Sequence, residues 1–162
     1  MSGVGWRRRL AAVLFPERCA CCGEVVRVGE GCCEQCRAQL SRIAPPVCPF
    51  CGRGREACCC RKHRRHFERC ISPFYYEGAV RKGILQLKEE ESWDTIRFLA
   101  AEMAEAVERE YAEIRFDGVI PVPMTSRVLK KRGFNQSLLL AEALGRCLSL
   151  PVLEPLQKLV DT

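Results

Sequence analysis

The chain has 162 residues, 48% of them apolar, and a net charge of +6. That is enough for one ordinary domain or two small ones, and it excludes both wholesale disorder and a membrane span, which needs ~18 apolar residues in a row. The charge is uneven: residues 1–70 carry 14 basic against 6 acidic side chains and residues 71–162 carry 12 against 14, so a basic module facing something anionic adjoins a near-neutral one.

At the amino terminus, Trp6-Arg7-Arg8-Arg9 precedes an apolar run from Leu10 to Phe15 that stops at Pro16. This run falls short of the apolar core of an export signal, roughly 7–15 residues closed by a small-residue cleavage site. The expectation is an amphipathic helix over residues 1–17 that docks on the body, with membrane-surface contact as the alternative, in a cytoplasmic protein.

Residues 18–69 are expected to form a metal module. Cys19-x2-Cys22, Cys33-x2-Cys36 and Cys48-x2-Cys51 follow one another at intervals of ten and eleven residues, and the run Cys58-Cys59-Cys60 comes after them. Each x2 pair puts two sulfurs on one tight turn, and two pairs supply the four thiolates of a tetrahedral structural zinc site. Cys19, Cys22, Cys33, Cys36, Cys48, Cys51, Cys58 and Cys60 therefore give eight ligands, enough for two zinc ions. A disulfide framework would need an oxidising compartment. Thioredoxin-like redox chemistry uses one such pair, and iron–sulfur runs are more closely spaced. Cys58 or Cys59 pairs with Cys60, His63 and His66 are possible substitutes, and consecutive or crossed pairing is left open. Cys21, Cys32, Cys70 and Cys147 read as buried small hydrophobes. So cysteine-rich a segment buries little apolar surface, so metal must supply much of its folding free energy, on the order of 10 kcal/mol per ion.

Short strands such as Val25–Val28 are expected between the turns, and a helix over Glu34–Ile43 is ended by Pro45-Pro46. Arg61-Lys62-His63-Arg64-Arg65-His66 is the densest charge on the chain, and Phe67 follows it. Arg61, Lys62, Arg64 and Arg65 are candidates for clamping phosphates of a single-stranded nucleic acid, with the ring stacking a base; a solvated loop is the alternative.

Residues 70–162 change in composition. Ile71–Tyr76 reads as a strand, Ala79–Lys88 as a helix, and Ser92 caps a second helix with Ile96, Leu99, Ala100, Met103, Val107 and Tyr111 along one face. That stripe is core packing. Val119-Ile120-Pro121-Val122-Pro123 reads as a strand buried on both faces of a parallel sheet. Beyond it Arg127 and Lys130-Lys131-Arg132-Gly133-Phe134-Asn135-Gln136 precede a helix over Ser137–Leu148. Basic residues and a glycine there suit an anion at a helix amino terminus, against an ordinary solvated loop. Val152-Leu153 begins another strand.

The chain resembles the ComF family of competence-associated, phosphoribosyltransferase-like proteins. The likeness rests on Leu14-Phe15-Pro16, the double zinc-ribbon spacing, Phe74-Tyr75-Tyr76-Glu77-Gly78 with Arg81, Leu87-Lys88, Pro121-Val122-Pro123 and above all Arg132-Gly133-Phe134-Asn135-Gln136. It implies an α/β protein: a double zinc-ribbon module fused to an incomplete type I phosphoribosyltransferase-like, Rossmann-like domain. It also implies a cytoplasmic role in DNA uptake and use, with single-stranded DNA and competence-machinery proteins such as a DNA helicase as partners. Arg127 and Arg132 would meet phosphate oxygens of phosphoribosyl pyrophosphate, Gly133 would let the backbone approach, and Phe134, Asn135 and Gln136 would complete that loop.

Relatives continue into an apolar strand, paired acids and a Thr-Thr-Gly loop that bind ribose and 5′-phosphate, and no such sequence occurs in this chain. After Lys88 the family's aromatic and basic residues are replaced by Glu89-Glu90-Glu91. The expectation is thus a truncated member in which phosphoribosyl pyrophosphate and Mg2+ belong to full-length relatives, with no catalytic residues of its own. Turnover would then need a complementing C-terminal fragment. A zinc-ribbon adaptor that binds protein is the remaining reading.

Overall fold

The structure, a computed structural model, describes residues 15–60 and 66–159. The expected amino-terminal helix and the basic run 61–65 fall largely or wholly outside the described residues. Two cysteine turns lead the chain, with helix α1 (Glu34–Arg37) in the first half and a single 3-10 turn, Arg55–Ala57, in the second. Four helices follow: α2 (Gly78–Glu89), α3 (Trp93–Glu110), α4 (Ser126–Arg132) and α5 (Gln136–Leu148).

The body is built on α3. Its first turn is capped by Ser92, whose hydroxyl accepts from the Thr95 amide at 3.3 Å. Its apolar face packs against α2 and α5, with Leu87, Ile96, Leu99, Ala100, Ala104, Ala143 and Leu144 in one buried cluster. The expected stripe is therefore core from Ile96 to Met103, while Val107 and Tyr111 lie beyond that cluster and are half-buried. Glu89-Glu90-Glu91 ends α2, with Glu90 at the carboxyl cap.

The expected strands are reduced to isolated bridges. Arg18 pairs with Val25, Arg42 with Phe74, Gly52 with Ile71, and Val119 with Val152, the last two parallel. Ile71–Tyr76 is not a strand of the helical body; it pairs back onto the cysteine module, where Ile43 donates to Pro73 and Tyr75 to Ser41. The expected Glu34–Ile43 helix stops at Arg37 because Ser41–Ile43 is drawn into that pairing. Val119–Pro123 is not buried on both faces: Val122 is 75% exposed and Ile120 49%. Among the described residues only Val152 pairs with it, through amide bonds from Val119 to Pro151 and from Leu153 to Val119. A doubly wound sheet is thus absent from the described residues.

Two apolar clusters lie on either side of α3. The second gathers Cys19, Cys21, Cys32, Cys36 and Ala79, and Phe98 of α3 packs against both clusters.

Candidate metal centre

Each cysteine turn is the same backbone device built twice. In the first, the Cys19 amide donates to the Glu24 carbonyl at 2.7 Å and Gly23 donates to Cys19 at 2.9 Å. In the second, Cys48 donates to Arg53 at 2.7 Å and Gly52 to Cys48 at 2.9 Å. The residue after the second cysteine must turn left-handed to close this loop, and glycine stands there both times, with φ of +78° at Gly23 and +71° at Gly52. The fold of the turn leaves amides aimed at sulfur: Cys33 donates to Cys19 Sγ at 3.3 Å, and Cys36 donates to Cys33 Sγ at 3.5 Å.

Two tetrads result. The Sγ atoms of Cys19, Cys22, Cys33 and Cys36 lie within 4.8 Å of one another, as do those of Cys48, Cys51, Cys58 and Cys60. The pairing of half-sites is consecutive, not crossed. Cys22 and Cys33 approach to 3.8 Å, and so do Cys51 and Cys58. A tetrahedral ion with bonds near 2.3 Å has a sulfur–sulfur edge of about 3.8 Å, so each tetrad fits one zinc ion. All thirteen cysteines are free thiols, which leaves no disulfide framework.

The thiols are electrostatically prepared but not fully ionised on their own. Burial works against a Cys19 thiolate, yet amide donors from Cys33, Cys21 and Cys22 outweigh it and hold the thiol down to about 6. Amides of Phe50 and Cys51 hold Cys48 down to about 6 in the same way. Burial and the neighbouring thiols push Cys36 up, and the Cys51 thiol pushes Cys60 up to about 12. A dication held by the two tetrads would supply what is missing, favouring the thiolate form of the remaining ligands.

The other cysteines separate by exposure. Cys21 and Cys32 are 2% and 1% exposed beside the first tetrad, and burial raises both thiols, so they are neutral core groups. Cys59 is exposed and turned from the second tetrad, with Arg53 Nη1 at 4.0 Å from its sulfur. Cys147, expected to be buried, is exposed on α5. His66 takes no part in either tetrad.

The first half of the module is tied to the body. Thr95 donates to the Ala20 carbonyl at 3.2 Å, and the Arg18 amide donates to Asp94 at 2.9 Å. Arg42 forks onto the buried carboxylate of Glu102, Nη2 to Oε1 at 2.7 Å, and covers the Phe74 ring at 5.1 Å. Nothing in the periodicity of the sequence signals that pair, because its members are 60 residues apart.

The loop expected to hold phosphate carries a helix of its own. Thr125 caps α4, Lys130, Lys131 and Arg132 fill its last turn, and Gly133 ends it at φ +86°. Asn135 caps α5 by accepting from the amides of Ser137 and Leu138. Those two amides are taken by the cap. Arg127 is exposed, Arg132, Phe134, Asn135 and Gln136 are half-buried, and Gln136 Oε1 is buried without a partner.

Residues 10–71 match the model of the double zinc ribbon domain. Competence protein ComFC of Bacillus subtilis (strain 168) is 26% identical over 132 residues, which cover 75% of this chain and 55% of that protein. The two likenesses together support a ComF-family protein. It spans about half the length of the curated ComF relative it matches. No solved structure matches it. The two ribbons of the matched model correspond to the two tetrads, whose pairing the spacing alone left open. No helix among the described residues is long and apolar enough to cross a membrane.

Proposed function

We propose that the protein is a ComF-like factor of DNA uptake and use. On this reading its two zinc ions shape a lobe that holds single-stranded DNA. The observation that carries this is the junction at Cys60, a member of the second tetrad that is followed directly by Arg61, Lys62, Arg64 and Arg65. The far side of that basic segment is also secured, by the Cys70 amide donating to Pro49 at 2.7 Å and by the Gly52–Ile71 bridge. The described residues on either side of the segment, Cys60 and Cys70, thus both meet the second cysteine turn. Competence in the name of the Bacillus relative supports the same reading.

The carboxyl-terminal part, from about residue 70, belongs to a phosphoribosyltransferase-like domain in this reading. Arg127 in the first turn of α4, Arg132 and Gly133 at its end, and Phe134, Asn135 and Gln136 beyond it form the pyrophosphate side of a donor site. The parallel Val119–Val152 pair beside this loop favours it.

The test is single-stranded oligonucleotide binding by the zinc-loaded chain as a function of salt. Binding should weaken as salt rises, and replacing Arg61, Lys62, Arg64 and Arg65 by alanine should lower the slope by about 0.7 for each phosphate no longer neutralised. Absence of binding at low salt would sink the nucleic-acid half of the reading.

A further inference from the structure

The first tetrad does not account for all the sulfur around it. Cys32 stands between two other thiols, its Sγ 3.9 Å from Cys19 Sγ and 3.9 Å from Cys21 Sγ. All three residues are at most 3% exposed and belong to one buried cluster. The second ribbon is the control for this feature. It closes the same turn with Phe50 where the first has Cys21, and with Ala57 where the first has Cys32. The ribbon device therefore does not require sulfur at either position, and packing alone would be served by a small apolar side chain.

We propose that Cys19, Cys21 and Cys32 form a further metal site in the first ribbon, which takes one cuprous ion beside the zinc, with Cys19 bridging the two. The inference stands apart from the nucleic-acid reading and needs only the first tetrad. Distance and ligand number select the ion. Three sulfurs set in a plane about 2.3 Å from one ion stand about 4.0 Å apart, close to both separations at Cys32. Zinc in a protein takes four ligands, or three and a water. Among the described residues no histidine or carboxylate joins the three thiols, and their burial shuts water out. A soft monovalent ion is satisfied by two or three thiolates, and thiolates select cuprous copper over harder ions. A thiolate bound to zinc keeps lone pairs, so the Cys19 sulfur can hold both ions. As their sulfur–copper bonds form, Cys21 and Cys32 each release one proton to solvent, and no electron is transferred. The guanidinium of Arg37, on the Cys32 carbonyl at 3.2 Å, places a cation beside the added negative charge.

The experiment titrates the full zinc-loaded chain with cuprous ion, without oxygen and against the chelator bicinchoninate, which keeps exposed thiols such as Cys59 and Cys147 empty. Elemental analysis after desalting should find one copper per chain with both zinc ions retained. Copper-edge X-ray absorption should show about three sulfur neighbours near 2.3 Å, with a zinc ion beyond them. Cys21→Ala and Cys32→Ala should each weaken copper binding by about a hundredfold and keep both zinc ions, while Cys59→Ser should change nothing. Copper lost wholly to the chelator overturns the inference, and so does copper that replaces zinc one for one. Copper still held by both alanine variants overturns it as well, as does a third zinc ion taken up when zinc alone is offered. The absorption spectrum needs no variant: nitrogen or oxygen neighbours, or sulfur with no zinc beyond it, would overturn the inference on the wild type.

Discussion

Single residues of the cysteine run 58–60 have opposite expected roles although they are neighbours. Cys58→Ser should lower bound zinc from two ions per chain towards one, while Cys59→Ser should leave two, by elemental analysis of protein purified without added metal. The reason is placement: Cys58 faces three other sulfurs, and Cys59 faces Arg53 and solvent. Gly83 offers a second contrast. Glycine within a helix usually weakens it by ~1 kcal/mol relative to alanine, so Gly83→Ala in α2 would ordinarily stabilise. A Cβ there would lie 2.3 Å from the Ala20 carbonyl oxygen, which belongs to the first cysteine turn. The substitution should instead destabilise by about 1–3 kcal/mol in thermal unfolding, because backbone must move aside. The eight tetrad cysteines were legible as a set, since ligand chemistry is written in residue type and spacing. Which of Cys58 and Cys59 turns inward was not, because that depends on backbone direction after the 3-10 turn.

At the scale of elements, α3 holds the molecule together through its amino-terminal turn. Ser92 Oγ lies 2.9 Å from Thr95 Oγ1, which in turn donates to Ala20. Ser92→Ala should cost about 1 kcal/mol, the usual worth of such a cap, and the loss should appear as a lower denaturant midpoint at unchanged m. Further along, Arg42→Ala strips Glu102 of its partner. The Arg42 side chain is 51% exposed and that of Glu102 10%, so solvent softens the loss to about 1–2 kcal/mol. A cycle with Glu102→Gln should show most of that as coupling. Helices α2, α3 and α5 were readable because their apolar spacing and the Ser92 cap are local signals. The strands were not. Ile71–Tyr76 has a strand's composition but pairs with Ser41–Ile43, Tyr75 donating to Ser41 and the Pro73 carbonyl accepting from Ile43, a tertiary choice invisible to periodicity. Val119–Pro123 has the composition of a fully buried strand, yet one partner bridge is all it meets among the described residues. The short α4 was missed because a run of Lys and Arg reads equally well as a loop.

For the whole molecule, the two ribbons differ in how much protein surrounds them. The first is enclosed by Cys21, Cys32, Ala79 and Phe98 and is tied to α3; the second has no buried member but Cys48 in its tetrad. A competing chelator should therefore extract the ions at two rates, the second-ribbon ion leaving first, as followed by a zinc-sensitive dye. Loss of the first should broaden the thermal transition of the helices, while loss of the second should leave it sharp. Phe98 gives this coupling a biological edge. Because one ring seals the sulfur-rich core on one side and the helical core on the other, a newly made chain starved of metal would present an unsealed hydrophobic seam to cellular proteases. The steady-state amount of this protein would then follow the cell's zinc supply, with no transcriptional regulator involved.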